Sequence, residues 1–275
     1  MIGLPLLRSP QQLRSRIKSW RAFGETVALV PVEGPPHEGH AALVRAAQRE
    51  ADRVLAALLP EDAGDGADDA PNPHEGATER LMDEAGADAL YAPSRAVFRP
   101  LGRSTTVHVP GLSDVMDGED SPAALDGFAA DLVRLFAQAQ PDSAMFSEMA
   151  WQRRLIARRI AQDFGLCERV LAADAARDDD GVAACIDRPA ARPAAARLWR
   201  ELRRAAAAIS GGADVDATLD AAADALSEAG IEVDYLDLRD AETLDELDRP
   251  DPARDARIFA AVEASGARIS DNVAL

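Results

Sequence analysis

The chain has 275 residues, of which 47% are hydrophobic and 28% charged, so it can bury a core in one large domain or in two smaller ones. Its 30 Lys and Arg against 48 Asp and Glu give a formal net charge of −18, which argues against nucleic-acid binding through a general basic surface. Two cysteines exclude a disulfide-stapled scaffold. We see neither a signal peptide nor the run of about 18 apolar residues that a membrane span needs, and therefore expect a cytoplasmic protein without membrane contact.

The first predicted elements form a βαβ unit. A helix over 9–23 can be capped by Ser9, and the apolar run at 25–32 is typical of a buried parallel strand. A turn-rich segment follows, and then a helix at 41–51 and a second strand at 52–59. Strand, loop, helix and strand in this order predict a right-handed parallel crossover.

The remaining elements continue the alternation and then change character. Residues 60–77 are polar and rich in Gly and Pro, which predicts a loop. Further helices are predicted at 78–86, 126–139, 151–165, 190–209 and 214–229, and strands at 87–91, 105–111, 143–148, 168–174, 233–240 and 256–265. We therefore expect an α/β fold with a Rossmann-like parallel sheet in an N-terminal domain, 1–176, and a small α+β C-terminal domain, 177–275.

The sharpest local signal is the sequence His37-Glu38-Gly39-His40, directly after a predicted strand and at the start of a helix. Two imidazoles at a helix N-terminus can donate hydrogen bonds to a phosphate whose charge grows during attack on phosphorus. Gly39 would let the backbone approach a nucleotide closely. The alternative is a polar helix cap with two surface histidines. A zinc site is less favoured, because no third ligand is evident.

The segment PVEGPPHEGHAALVRAA, at 31–47, resembles the nucleotide-binding segment of the pantothenate synthetase (pantoate–β-alanine ligase) family, within the HxGH nucleotidyltransferases. Further similar stretches follow in order along the chain: YAPS, VPGLSDVMDG, DGFAADLVRLFAQAQPD, FSE, RDDDG, LRDAETL and ARISDN. The resemblance implies an ATP-dependent ligase that forms an acyl adenylate from a carboxylic acid and transfers the acyl group to an amine. It also implies Mg²⁺ with the ATP, a homodimer, and a C-terminal domain that closes as a lid.

The resemblance also implies roles for individual residues. The family's histidines fall on His37 and His40, which would be catalytic. Nucleotide-binding positions would be Gly34, His37, Gly39, His40, Ser147, Glu148 and Arg188. Asp126, in the aspartate–glycine of a substrate-side turn, and Arg153, in place of a substrate-binding glutamine, would contact the acid; the alternative for Arg153 is a solvated helix face.

Several positions depart from the family pattern. A lysine and an aspartate that hold phosphate and Mg²⁺ are replaced by Met149 and Ala150, and a serine-serine-arginine loop falls on Cys185, Ile186 and Asp187. The threonine and methionine before the histidine loop are Val32 and Glu33. We therefore interpret the chain as a family ligase with a changed acid or amine. A catalytically inactive paralogue that binds or regulates, and unaltered pantothenate synthesis, are the alternatives.

Overall fold

The computed structural model describes residues 3–61, 69–102 and 104–275. Its strands are β1 (Leu6–Leu7), β2 (Val27–Val32), β3 (Arg53–Leu58), β4 (Ala89–Tyr91), β5 (Ser143–Ser147), β6 (Arg169–Ala173), β7 (Glu232–Asp240), β8 (Ala256–Ala264) and β9 (Ala267–Ala274). Its helices are α1 (Pro10–Arg21), α2 (Glu38–Ala47), α3 (Glu75–Ala85), α4 (Arg95–Phe98), α5 (Asp117–Asp120), α6 (Pro122–Ala139), α7 (Trp151–Phe164), α8 (Arg192–Ser210) and α9 (Val215–Ser227), with a 3₁₀ turn at Glu148–Ala150.

Contacts divide the chain into two compact units. The first comprises the residues through Ser113 together with Asp117–Asp174, and the second comprises Asp114–Met116 and Ala175–Leu275. The first unit holds a six-stranded sheet in the order β1-β4-β3-β2-β5-β6, with every pair parallel. The predicted Rossmann-like parallel sheet is confirmed.

Both faces of this sheet are buried, as a parallel sheet requires. Alternate residues of β2, β3 and β4 pack against α2 and α3 in one cluster, which includes Val30, Val44 and Met82. On the opposite face, the Tyr91 hydroxyl lies 2.9 Å from the side-chain carbonyl oxygen of Gln138 in α6 and donates to it. The sheet is thus fixed between helices, and its strand ends are left to form a site.

The second unit is the predicted α+β unit. Strands β7, β8 and β9 form an antiparallel sheet in that order, and the apolar residues of α8 and α9 share a core with it. The Trp199 ring of α8 lies beside Gly181, and the guanidinium carbon of Arg177 lies 3.5 Å from the ring centroid.

Most predicted elements lie within a few residues of their places, and the predicted cap of α1 is confirmed, since the Gln12 backbone N–H donates to the Ser9 hydroxyl at 3.2 Å. One prediction is wrong: residues 105–111 form no strand. An alternating pattern alone does not make a strand, because a strand also needs a neighbouring strand with which to pair. The edge of β4 is already occupied by Leu6 and Leu7 of β1. The predicted loop at 60–77 lies partly outside the described residues, and its last three residues belong to α3.

Candidate active site

The site lies where the strand order reverses. From β2 the chain moves outward to β3 and β4, and then returns to place β5 on the other side of β2. Pairing between β2 and β5 ends at Leu29 and Ala144, whereas β2 stays paired with β3 up to Val32. The carboxyl ends of β2 and β5 therefore open into a crevice, which is where open α/β sheets bind ligands.

The predicted histidine loop lies at this crevice. Glu33 and Gly34 follow β2, and Gly34 has a φ of +65°, a conformation that favours glycine. His37 is the N-cap residue of α2, and Gly39 and His40 lie in its first turn. The helix therefore directs its positive end and its first backbone N–H groups to the carboxyl side of the sheet, where an anion is stabilised.

His40 is fixed in one protonation state and one tautomer. The residue is 8% exposed, and burial, reinforced by the adjacent His37, lowers the pKa of His40 to about 3. The backbone N–H of His37 donates to Nδ1 of His40 at 3.3 Å, and the two rings stack with centroids 3.9 Å apart. A neutral ring that accepts at Nδ1 carries its proton on Nε2, so His40 is a hydrogen-bond donor at neutral pH.

The two predicted residues at the end of β5 lie on the other side of the crevice. Ser147 ends the strand, and its hydroxyl accepts from the backbone N–H of Met149 at 3.2 Å. Glu148 begins the 3₁₀ turn that leads into α7 and is half-buried. Both residues therefore occupy the strand end next to β2, and their predicted role in nucleotide binding stays a prediction.

A cavity of about 160 Å³ lies beside the histidine loop and is lined by Glu33, Gly34, Phe128 and Arg153, among other residues. Arg153 forms an ion pair with Glu33, and its guanidinium carbon lies 4.9 Å from the centroid of the Phe128 ring. The structure thus brings Arg153 to the residues that follow β2. Its predicted contact with the acid stays a prediction.

Sequence reasoning missed a second ion pair that lines the same cavity. Arg99 Nε donates to Asp131 at 2.8 Å, and Arg99 Nη2 donates to the carbonyl oxygen of Pro60 at 3.0 Å. The two side chains are only 5% and 7% exposed. The one available signal was an aspartate within the apolar stripe of α6, three residues after Phe128.

Two further predicted site residues contact other partners. Asp126, in the first part of α6, has its carboxylate 3.0 Å from Nδ1 of His108. Arg188 is exposed in the second unit, where its guanidinium donates to the carbonyl oxygen of Gly266 at 3.1 Å. Their assignments to acid and nucleotide binding stay predictions.

In the described part of the chain, no group of three His, Cys, Asp or Glu side chains is placed to hold a metal ion. None of the helices in residues 3–61, 69–102 and 104–275 is long and apolar enough to cross a membrane.

Comparison with known proteins agrees with this fold. Residues 5–274 match the family model for pantoate-beta-alanine ligase. The chain is 38% identical to the pantothenate synthetase of Rhodospirillum rubrum, with 99% of each chain covered. It is also 38% identical to that of Novosphingobium aromaticivorans, with 95% of each covered.

Solved structures show the same similarity. Pantothenate synthetase from Thermus thermophilus aligns with a TM-score of 0.85 and 31% identity over 98% of this chain and 99% of that one. A Francisella tularensis pantoate-beta-alanine ligase, complexed with beta-gamma ATP and beta-alanine, shares the fold at 16% identity, with a TM-score of 0.77 over 99% and 98% of the two chains. With a parallel sheet, a histidine loop at its switch point and matches over nearly the whole length, this chain belongs to the pantoate–β-alanine ligase family.

Proposed function

We propose that this protein is an ATP-dependent ligase that joins a small carboxylic acid to an amine through an acyl adenylate, and that its acid differs from pantoate. The observation that carries the ligase proposal is the buried, neutral His40 with its proton on Nε2 at the N-terminus of α2. A donor held in this way needs no reorganisation when charge develops on a phosphate.

The first half-reaction follows from the placement of the donors. A carboxylate oxygen of the acid forms a bond to the α-phosphorus of ATP, and the bond from that phosphorus to the bridging oxygen breaks, releasing pyrophosphate. His40 Nε2 and the first N–H groups of α2 donate to the phosphate oxygens, on which negative charge increases during this step. In the second half-reaction, the nitrogen of a neutral amine forms a bond to the acyl carbon, the bond from that carbon to the phosphate oxygen breaks, and AMP and one proton of the amine are released.

His37 positions His40 in this scheme. Its backbone N–H holds Nδ1 of His40, and its ring stacks on the His40 ring. Mg²⁺, which the family uses with ATP, would reduce the negative charge of the triphosphate. The described residues present no three-ligand cluster, so we infer that the metal is held mainly by the nucleotide's own oxygens.

The changed acid is supported by the cavity next to the loop. Three carboxylates, those of Glu33, Glu61 and Asp131, line it together with two arginines, Arg99 and Arg153. A lining with one more carboxylate than guanidinium groups does not attract an ordinary monoanionic acid. We therefore place the difference from pantoate in the acid, while the histidine loop retains the adenylating chemistry.

The test is pyrophosphate release from Mg·ATP with pantoate and a panel of other small acids, each with and without β-alanine. We expect release that depends on an acid, and a loss of at least about 10²-fold in His40→Ala, since removal of one such donor typically costs that much. Gln48→Ala is the control, because Gln48 lies at the opposite end of α2, where its side chain donates to the carbonyl oxygen of Gly86 at 2.8 Å.

Either of two outcomes overturns the ligase proposal: the same release in His40→Ala as in the wild type, or no release with any acid together with no thermal shift on adding ATP. If pantoate supports faster release than every other acid, only the proposal that the acid differs from pantoate is contradicted. The thermal midpoint of His40→Ala shows whether the variant is folded, and His40→Gln, which keeps an N–H donor, is expected to retain more activity than His40→Ala.

A further inference from the structure

We propose that the acid bound in the cavity beside the histidine loop is a small amino acid in its zwitterionic form, with its ammonium group against Glu33 and its carboxylate against Arg153. This inference rests on the proposed function and specifies the acid that is adenylated. It follows from the way in which charges are paired around the cavity.

The lining of the cavity contains two guanidinium groups, each of which contacts a carboxylate. A third carboxylate in the lining, that of Glu61, lies 3.1 Å from Nε2 of His74. Arg153 of α7 pairs with Glu33, which follows β2, and Arg99 pairs with Asp131 of α6. The first pair is the accessible one, with side chains 37% and 43% exposed, whereas the second pair is nearly buried. A ligand therefore meets Arg153 and Glu33 together and cannot contact one without approaching the other.

This arrangement disfavours a plain monoanion. A carboxylate that binds to Arg153 comes close to the Glu33 carboxylate on the same guanidinium, and like charges at such a distance repel about as strongly as the opposite charges attract. An acid that also carries an ammonium group meets both partners with opposite charges. Its carboxylate replaces Glu33 at the guanidinium, and its ammonium group compensates the Glu33 carboxylate that it displaces.

The residues around the pair hold it in place. The Arg153 guanidinium lies over the Phe128 ring at 4.9 Å, and cation–π contact and stacking of this kind restrict the long side chain. The Arg99–Asp131 pair is anchored by the Pro60 carbonyl at 3.0 Å. A guanidinium restrained beside a carboxylate is a recognition site for two opposite charges on one small molecule.

The volume and position of the cavity agree with such a ligand. At about 160 Å³, it has room for at least about five waters of roughly 30 Å³ each, which suits a small amino acid rather than a peptide. The cavity is lined by Gly34, three residues before the N-cap His37 of α2. An acid bound there lies next to the loop that is proposed to hold the nucleotide.

The test measures the first half-reaction alone, as ATP–pyrophosphate exchange, with acids matched in size. Alanine, lactate and propionate form one set, and β-alanine, 3-hydroxypropionate and propionate form a second, with pantoate alongside. We expect at least one amino acid to support exchange with a kcat/KM ten times or more above that of its hydroxy and unsubstituted counterparts.

The Glu33→Gln variant tests the assigned contact. It removes the charge that faces the ammonium group, so we expect the preference for the amino acid over its hydroxy counterpart to fall tenfold or more. The matched control is Glu50→Gln, because Glu50 pairs with Arg169 on the surface and precedes β3, at the amino end of the sheet. The control should keep the wild-type preference, and thermal midpoints verify that both variants are folded.

The outcomes separate the two proposals. Exchange with pantoate or another hydroxy acid, but not with any amino acid, contradicts the proposed zwitterionic acid but agrees with the proposed ligase activity. An amino-acid preference that is unchanged in Glu33→Gln overturns the assigned contact. No exchange with any acid overturns the proposed function and this inference with it.

Discussion

The backbone N–H of His37 and Nδ1 of His40 lie 3.3 Å apart, so the first residue of the histidine pair fixes the tautomer of the second. The hydrogen bond requires an unprotonated Nδ1, and burial lowers the pKa of His40 to about 3. The neutral ring is therefore part of the folded structure as well as of the proposed chemistry.

We expect protonation of His40 to couple to folding. In the unfolded chain a histidine titrates near 6.5, so between pH 6.5 and about 3 the unfolded state takes up a proton that the folded state does not. Stability therefore falls as the pH falls through this window, and at pH 4.5 the loss from His40 amounts to about 3 kcal/mol. Above pH 6.5 this contribution is constant.

Urea unfolding of the wild type and His40→Gln, at pH 7.5, 6.5, 5.5 and 4.5, measures this effect. The carboxylates titrate in both proteins, so their contribution cancels in the difference between the two free energies of unfolding. We expect that difference to change by about 3 kcal/mol between pH 7.5 and 4.5, in favour of the variant. If the free energies of unfolding of the two proteins change equally with pH, a neutral, buried His40 is contradicted.

The buried Arg99–Asp131 pair predicts an asymmetric response to substitution. Arg99→Met leaves the Asp131 carboxylate buried without its guanidinium, which typically costs 3–5 kcal/mol, or about 4 kcal/mol here. The double variant Arg99→Met/Asp131→Leu removes both charges, and we expect it to recover most of that loss. The measurement is the free energy of unfolding in urea.

The control for this pair is Arg45→Met, which breaks the surface ion pair with Glu38 in α2. Both side chains are largely exposed, so a loss below about 1 kcal/mol is expected. The prediction fails if Arg99→Met costs no more than Arg45→Met, or if the double variant is as unstable as the single one.

The parts of the fold that could be predicted are those that a local pattern determines. The apolar runs of β2 and β3 and the helix between them specify a buried parallel crossover without knowledge of the rest of the chain. By contrast, β9 was not predicted, because polar residues fill two of its three buried positions. Asp271 is paired with Arg177, and Asn272 accepts from Arg257 at 2.8 Å.

The site likewise combines contacts that a local pattern predicts with contacts that it does not. His37 and His40 lie three residues apart, so their spacing and the following helix could be seen in the sequence. Arg99 and Asp131 are 32 positions apart, and Arg153 meets Glu33 across 120 positions. Which arginine pairs with which carboxylate depends on the packing of α6 and α7 at the strand ends, and no local pattern contains that information.

The last prediction concerns Gly181, in the second unit. A Cβ at this position would lie 2.0 Å from Cδ1 of Trp199, and the residue has a φ of +81°. The ring cannot easily move aside, because Arg177 lies against it and is itself held by Asp271 at 2.6 Å. Gly181→Ala therefore combines overpacking with backbone strain, and we expect it to cost roughly 2–5 kcal/mol.

Gly212→Ala separates these two causes. Gly212 has a φ of +91°, but nothing lies within 4 Å of an added Cβ. Gly212→Ala should therefore cost only the strain of the left-handed backbone conformation, about 1–2 kcal/mol. Urea unfolding followed by tryptophan fluorescence compares the two variants, and Trp199 is the tryptophan that belongs to the second unit. Equal losses in Gly181→Ala and Gly212→Ala would show that the Trp199 ring adapts, and that the contact with Arg177 does not restrain it.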